Sequence, residues 1–225
     1  KNAKLRKYFK EVSMHSYWSG ADTKKNAENY FSDKYSKYSV AATEYCQMTD
    51  DKNTGVYDLI AKEKNGTNGT SIKYGVAMAN TIVDDLTIMN ANEWDWWTAC
   101  SYGTYTDGLI YLDEDNHENL DFSKRYYCLG NFSKFIKEGA VRVACSSGVK
   151  NVRSVAFVNE DNTVVTVYVN NNDKKAYTTI DCEGDYAVYT TDRDNDIAKT
   201  DFGKAKKVKV SLPASSVVTV VYEAK

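Results

Sequence analysis

Two textures of hydrophobic and polar positions divide the chain. Up to about residue 136, short apolar runs alternate with longer amphipathic stretches. Leu5-Arg6-Lys7-Tyr8-Phe9 reads as the end of a helix, and Val12 to Trp18 predicts a strand. The polar run from Asp22 to Tyr38, carrying Tyr30, Phe31 and Tyr35, predicts an amphipathic helix. Val40-Ala41-Ala42-Thr43-Glu44 is a second strand, followed by a polar loop over Thr49 to Asn68 whose Gly and Asn residues mark turns. Ser71 opens a helix with Ile72, Val76, Met78, Ala79, Ile82, Val83 and Leu86 on its apolar positions. Asn90 to Trp97 is a third strand, a long loop runs to Leu120, and Ser123 to Ile136 is a further helix. Strand and helix thus alternate three times, the pattern of consecutive βα units on a parallel sheet.

The pattern changes near Gly139. From Ala140 onward the runs Val152–Val158, Thr163–Val169, Ala176–Ile180, Tyr186–Thr191, Lys206–Leu212 and Ser215–Tyr222 alternate apolar and polar residues with period two. Glu160-Asp161-Asn162, Asn170 to Asp173 and Glu183-Gly184-Asp185 supply turns between them. Short strands at this spacing predict an antiparallel β-sandwich. The chain therefore divides into an α/β part, residues 1–139, and an all-β part, residues 140–225.

Composition narrows the functional classes. A net charge of −2 gives no basic surface for nucleic acid or an anionic membrane. The apolar runs are too short to span a bilayer. Eighteen Tyr and four Trp beside one Pro supply rings for packing a β domain or for stacking on sugars. The five cysteines, Cys46, Cys100, Cys128, Cys145 and Cys182, are widely spaced, which is neither a zinc pattern nor a disulfide scaffold. Two histidines, His15 and His117, are little material for a metal centre. Asp113-Glu114-Asp115-Asn116 and Asp192 to Asp196 start like calcium loops but lack their Gly and distal Glu. No metal or organic cofactor is expected. Asn65, Asn68 and Asn131 head glycosylation sequons.

The candidate chemistry centres on Glu44. A buried Val/Ala strand has no local use for a carboxylate, whose ionised form costs several kcal/mol to desolvate without a partner. Strand parity puts His15 and Tyr17 on one face of the preceding strand. If the two strands are adjacent and parallel, these residues reach the same mouth as Glu44, Trp96 and Trp97. An acid, an imidazole, a phenol and indoles together suit a sugar. The competing view of Glu44 is an ordinary strand-end ion pair, and of His15 a satisfied core histidine. A Cys46–His15 nucleophilic pair lacks any visible orienting group or oxyanion hole.

The ordered motifs Met14-His15-Ser16-Tyr17, Thr43-Glu44-Tyr45-Cys46, Trp94-Asp95-Trp96-Trp97, Asp107-Gly108-Leu109-Ile110-Tyr111, Arg125 to Val143 and Leu212-Pro213-Ala214-Ser215-Ser216 resemble glycoside hydrolase family 30. The resemblance implies the C-terminal portion of a (β/α)8 TIM barrel, strands six to eight, followed by a β-sandwich side domain. It implies a retaining β-glycoside hydrolase, secreted and acting on an extracellular polysaccharide, closer to the β-1,6-galactanase or β-1,6-glucanase branches than to the glucuronoxylanases. Glu44 falls on the nucleophile, His15 and Tyr17 on neighbours of the innermost subsite, and Trp96 and Trp97 on the sugar platform. The family's acid/base glutamate ends an earlier strand. The expectation is therefore a barrel completed by a missing N-terminal half, with this chain inactive alone; a closed, self-sufficient domain would contradict it. The rival expectation is a non-catalytic carbohydrate-binding or adhesion fragment.

Overall fold

The computed structural model describes residues 7–48, 52, 70–102, 105–113, 115–116 and 118–223. The loop expected at Thr49 to Asn68 lies almost wholly outside the described residues, as do His117 and the sequons at Asn65 and Asn68. The first part of the chain builds strand β1 (Glu11–His15), helix α1 (Ala21–Tyr35), strand β2 (Ser39–Glu44), helix α2 (Ile72–Thr87) and strand β3 (Glu93–Trp94). These strands form a parallel sheet in the order β1-β2-β3. The far edge of β1 has no partner strand among the described residues.

The third strand is shorter than the sequence pattern predicts. Only Glu93 and Trp94 pair in a regular ladder, although the N–H groups of Asn92, Asp95 and Trp97 still donate to Val40, Ala42 and Tyr45 carbonyls. The long stretch to Leu120 is not all loop. It holds β4 (Cys100–Tyr102), β5 (Ile110–Leu112) and, after a turn, β6 (Leu120–Phe122), a small separate sheet too short to give a periodic signal. Helix α3 (Lys124–Ser133) follows, and the Ser123 hydroxyl caps it by accepting from Tyr126 N–H.

Strands β7 (Val141–Val143), β8 (Val152–Val158), β9 (Thr163–Asn170), β10 (Ala176–Thr191), β11 (Ala198–Leu212) and β12 (Ser216–Glu223) form one antiparallel sheet, ordered β11-β10-β12-β9-β8-β7. Glu183-Gly184-Asp185 is not the turn its composition predicts; β10 runs straight through it. The ladder with β11 shifts register between Asp181 and Gly184, and β10 pairs with β12 only from Tyr186 on. The early half of β10 and late half of β11 therefore fold away as a ribbon across the sheet. Ile180, Val208, Val210 and Leu212 of that ribbon pack on Val152, Tyr168, Val218 and Val220, closing the sandwich.

The opposite face of this sheet carries Val155, Phe157, Val165, Val167 and Val217, which pack with Ile72, Val76, Ile82 and Val83 of α2 and with Cys128 and Phe132 of α3. Helix α2 is buried on almost every side because it is wedged between both sheets. At roughly 1.5–3 kcal/mol per fully buried aliphatic side chain, this shared core makes the two parts mechanically one. Gly139 (φ 79°) turns the chain from the helices into β7, in a left-handed conformation that disfavours any side chain.

Candidate active site

Glu44 ends β2, and its neighbours come from β1. A register irregularity aligns Met14 with Ala42 but His15 with Glu44, so Thr43 is an extra residue in β2. Without that bulge His15 would face Thr43. With it, His15 Nδ1 lies 3.7 Å from Glu44 Oε1, and the side chains remain 50% and 32% exposed respectively. The Tyr17 hydroxyl donates to the same oxygen at 2.9 Å and reaches Cys46 Sγ at 3.7 Å. Its ring stands edge-on to His15, with centroids 5.9 Å apart, and leans on Tyr45 at 5.7 Å. Burial first, and then the hydrogen bonds to Cys46 and Glu44, push the phenol's pKa up, so Tyr17 stays a donor. Burial likewise raises the Cys46 thiol.

The indoles separate. Trp97, 54% exposed, follows β3 at the same end of the sheet, its backbone N–H tied to Tyr45 O. Trp96 turns inward: its Nε1–H donates to Asp107 O at 2.6 Å, and its ring packs edge-on to Tyr45 and 5.5 Å from the Arg125 guanidinium. Of the residues singled out from sequence, His15, Tyr17 and Glu44 meet directly, Trp97 is exposed with its backbone tied to Tyr45, and Trp96 lies in the packing.

Two buried polar assemblies hold this arrangement, and neither is apparent from the motifs. In the first, Asp85 of α2, fully buried, lies 2.7 Å from Lys24 Nζ of α1 and accepts hydrogen bonds from Ser16 Oγ and Trp94 Nε1. Ser16 sits between His15 and Tyr17, so this anchor fixes the turn that presents both. In the second, fully buried Arg125 of α3 donates to Gly108 O, Tyr111 Oη and Gln47 Oε1. Gln47, three residues beyond Glu44, also donates to Tyr74 O, and its carbonyl accepts from Thr106 Oγ1. Burial lowers the pKa of Arg125, opposed by Tyr111 and Asp107. Gly108 is required here, since a Cβ would stand 2.9 Å from Ser101 Cβ and 3.0 Å from the Tyr111 ring. Trp18 was also unforeseen: 47% exposed, with a left-handed backbone (φ 52°), it lies 5.6 Å from Tyr17 between ring centroids.

All five cysteines are free, with Cys46, Cys128 and Cys182 buried and Cys100 exposed. Asn131, whose sequon is complete in sequence, is buried and donates to Thr219 Oγ1. Among the described residues, no cluster of three or more His, Cys, Asp or Glu is placed to hold a metal, and no helix is long and apolar enough to cross a membrane.

The O-glycosyl hydrolase family 30 model matches residues 3–111, and the glycosyl hydrolase family 30 beta sandwich domain model matches residues 139–220. The chain belongs to glycoside hydrolase family 30. Solved structures agree on the fold. A family 30 endoxylanase from Clostridium papyrosolvens C71 superposes with a TM-score of 0.75 at 21% identity, over 100% of this chain and 51% of its own. A conserved exported protein from Bacteroides fragilis gives 0.77 at 25% identity, over 95% and 46%. An endo-β1,6-glucanase gives 0.63 at 17% identity, over 100% and 43%. The chain thus spans about half the length of these structures. Its parallel sheet is the C-terminal portion of a (β/α)8 TIM barrel, and its antiparallel strands are the family 30 β-sandwich.

Proposed function

We propose that this chain carries the nucleophile of a retaining β-glycoside hydrolase, and that the nucleophile is Glu44. The observation that carries the proposal is the hydrogen bond from Tyr17 to Glu44 Oε1 at the C-terminal end of a parallel strand, the end where barrel enzymes place their chemistry. Tyr17 orients the carboxylate through Oε1, leaving Oε2 to attack the anomeric carbon, while His15 borders the sugar. Water then releases the glycosyl-enzyme, with a second carboxyl acting first as acid and then as base. No cofactor takes part.

That second carboxyl belongs about 5–5.5 Å from the first. Glu93 pairs with Ala41, three residues before Glu44 and so about 10 Å down the strand. Its carboxyl is raised in pKa chiefly by a hydrogen bond with Asp95, which engages Asp95 as well. Glu11 pairs with Ser39, farther still. Neither described carboxyl reaches Glu44, and by the family resemblance the acid/base is a glutamate at the end of an earlier barrel strand. The open edge of β1 and the half-length match to solved relatives support a working unit that includes that strand.

Trp97, with Trp96 supporting it, borders the substrate. The substrate we assign is a β-1,6-linked galactan or glucan outside the cell, on the resemblance of Thr43 to Cys46, Trp94 to Trp97 and Asp107 to Leu109 to those branches of the family. We place the barrel segment at residues 1–139 and the side domain at 140–225. In the full-length protein, Glu44→Gln should abolish hydrolysis while glycan affinity survives. That neither Glu93 nor Glu11 among the described residues comes beside Glu44 favours one other role, a non-catalytic glycan-binding fragment. That role predicts no hydrolysis even by the unsubstituted full-length protein.

A further inference from the structure

A second concave surface lies on the helix-facing side of the antiparallel sheet, past the C-terminal end of α3. Period-two alternation puts Ala187 and Tyr189 of β10, Phe202 of β11, and Val221 and Glu223 of β12 on this face. Ala187 pairs with both Phe202 and Val221, so the floor is low in the middle. Phe202 stands at one side, 67% exposed, and takes no part in either core. On the other side the Tyr189 ring lies against Phe135, with centroids 4.4 Å apart. Lys199 Nζ sits between the two walls, 5.8 Å from the Tyr189 ring and 5.1 Å from that of Phe202. With Glu223 these residues line a cavity of about 410 Å³, within the usual size of a small-ligand pocket.

The lining selects an amphipathic occupant. A purely apolar partner would strip water from Lys199 and Glu223 without pairing them, which is unfavourable. A pyranose has an apolar C–H face for the exposed Phe202 ring and hydroxyls that can accept from Lys199 and donate to Glu223. We infer that this cleft is an accessory glycan-binding site that holds one or two sugar units of the polysaccharide away from Glu44. The choice of a polysaccharide as ligand rests on the reading of the chain as a polysaccharide hydrolase.

The test uses the full-length protein carrying Glu44→Gln, run by affinity electrophoresis through gels containing β-1,6-glucan, β-1,6-galactan or xylan. Phe202→Ala removes the platform, and Ala187→Arg fills the cleft from its floor; a thermal melt confirms that each folds. Both should weaken retention by at least one glycan roughly tenfold, and in the Glu44 background both should leave turnover of a small aryl glycoside unchanged. Retention equal to the parent for both variants, or no retention of the parent by any glycan, would overturn the site. Retention that depends on Phe202, where the protein with Glu44 intact hydrolyses none of the glycans, would keep the cleft and remove the catalytic reading.

Discussion

Tyr17→Phe tests the site with little disturbance of packing. The ring contacts to His15, Trp18 and Tyr45 survive, and the change deletes the 2.9 Å hydrogen bond to Glu44. A hydrogen bond to a charged group is worth about 1.5–3 kcal/mol. Its effect differs between the two chemical steps. In the first, Glu44 loses charge as it bonds to the sugar; a carboxylate freed of its donor has less charge stabilisation to give up, which partly offsets its poorer orientation. In the second, Glu44 departs as a carboxylate and regains charge, so the missing donor slows departure directly. If one-half to the whole of the bond's worth is lost there, kcat falls by between a few-fold and about 100-fold, at roughly tenfold per 1.36 kcal/mol. The ratio kcat/KM falls less, and glycosyl-enzyme accumulates. Steady-state and burst kinetics on an activated aryl glycoside read both effects. A kcat within twofold of wild type, with no added burst, would refute the claim that Tyr17 serves the nucleophile.

Lys24→Met should strand the Asp85 carboxylate in a buried site and destabilise the protein by about 3–5 kcal/mol, read as a lowered midpoint in urea unfolding. Cys100 should react with a thiol reagent in the native state well before Cys46 or Cys128, because both of these are buried and burial holds their thiols protonated at neutral pH. Tyr17, Tyr111, Tyr168 and Tyr222 all have raised pKa values, chiefly through burial. The unfolded chain therefore loses those protons first, near pH 10, so their contribution is intact below about pH 10 and falls above it. Denaturant midpoints measured from pH 8 upward should drop in that window; a flat profile past pH 10 would contradict the burial of these phenols.

Local pattern revealed much of this molecule. The strand at Val152–Val158 has the bounds its alternation predicts, because a sheet packed on both faces constrains every position. Alternation also linked His15 with Tyr17 and put Glu44 at a strand end. It could not show the extra residue at Thr43 that brings His15 level with Glu44, since a bulge is a property of two strands together. Glu183-Gly184-Asp185 misled for a related reason. Its composition suits a turn, but the chain there changes neighbours without leaving the sheet, and Gly184 makes room for Glu223, whose Oε2 a Cβ would meet. The polar anchors were invisible because their partners are distant in sequence: Ser16 and Asp85 are separated by 69 positions, Arg125 and Gln47 by 78. Nothing local distinguishes the packed Trp96 from the open Trp97. The packing of Trp96 follows from the buried Arg125 that its ring meets.

The role of Glu44 is tested most directly by trapping the intermediate. The full-length protein would be incubated with a 2-deoxy-2-fluoro glycoside bearing a good leaving group, digested, and its peptides sequenced by mass spectrometry. A retaining enzyme with Glu44 as nucleophile yields one fluoroglycosyl ester, on Glu44 itself, and none in the Glu44→Gln variant. An ester on any other carboxylate, or turnover that inverts the anomeric centre, would contradict the account.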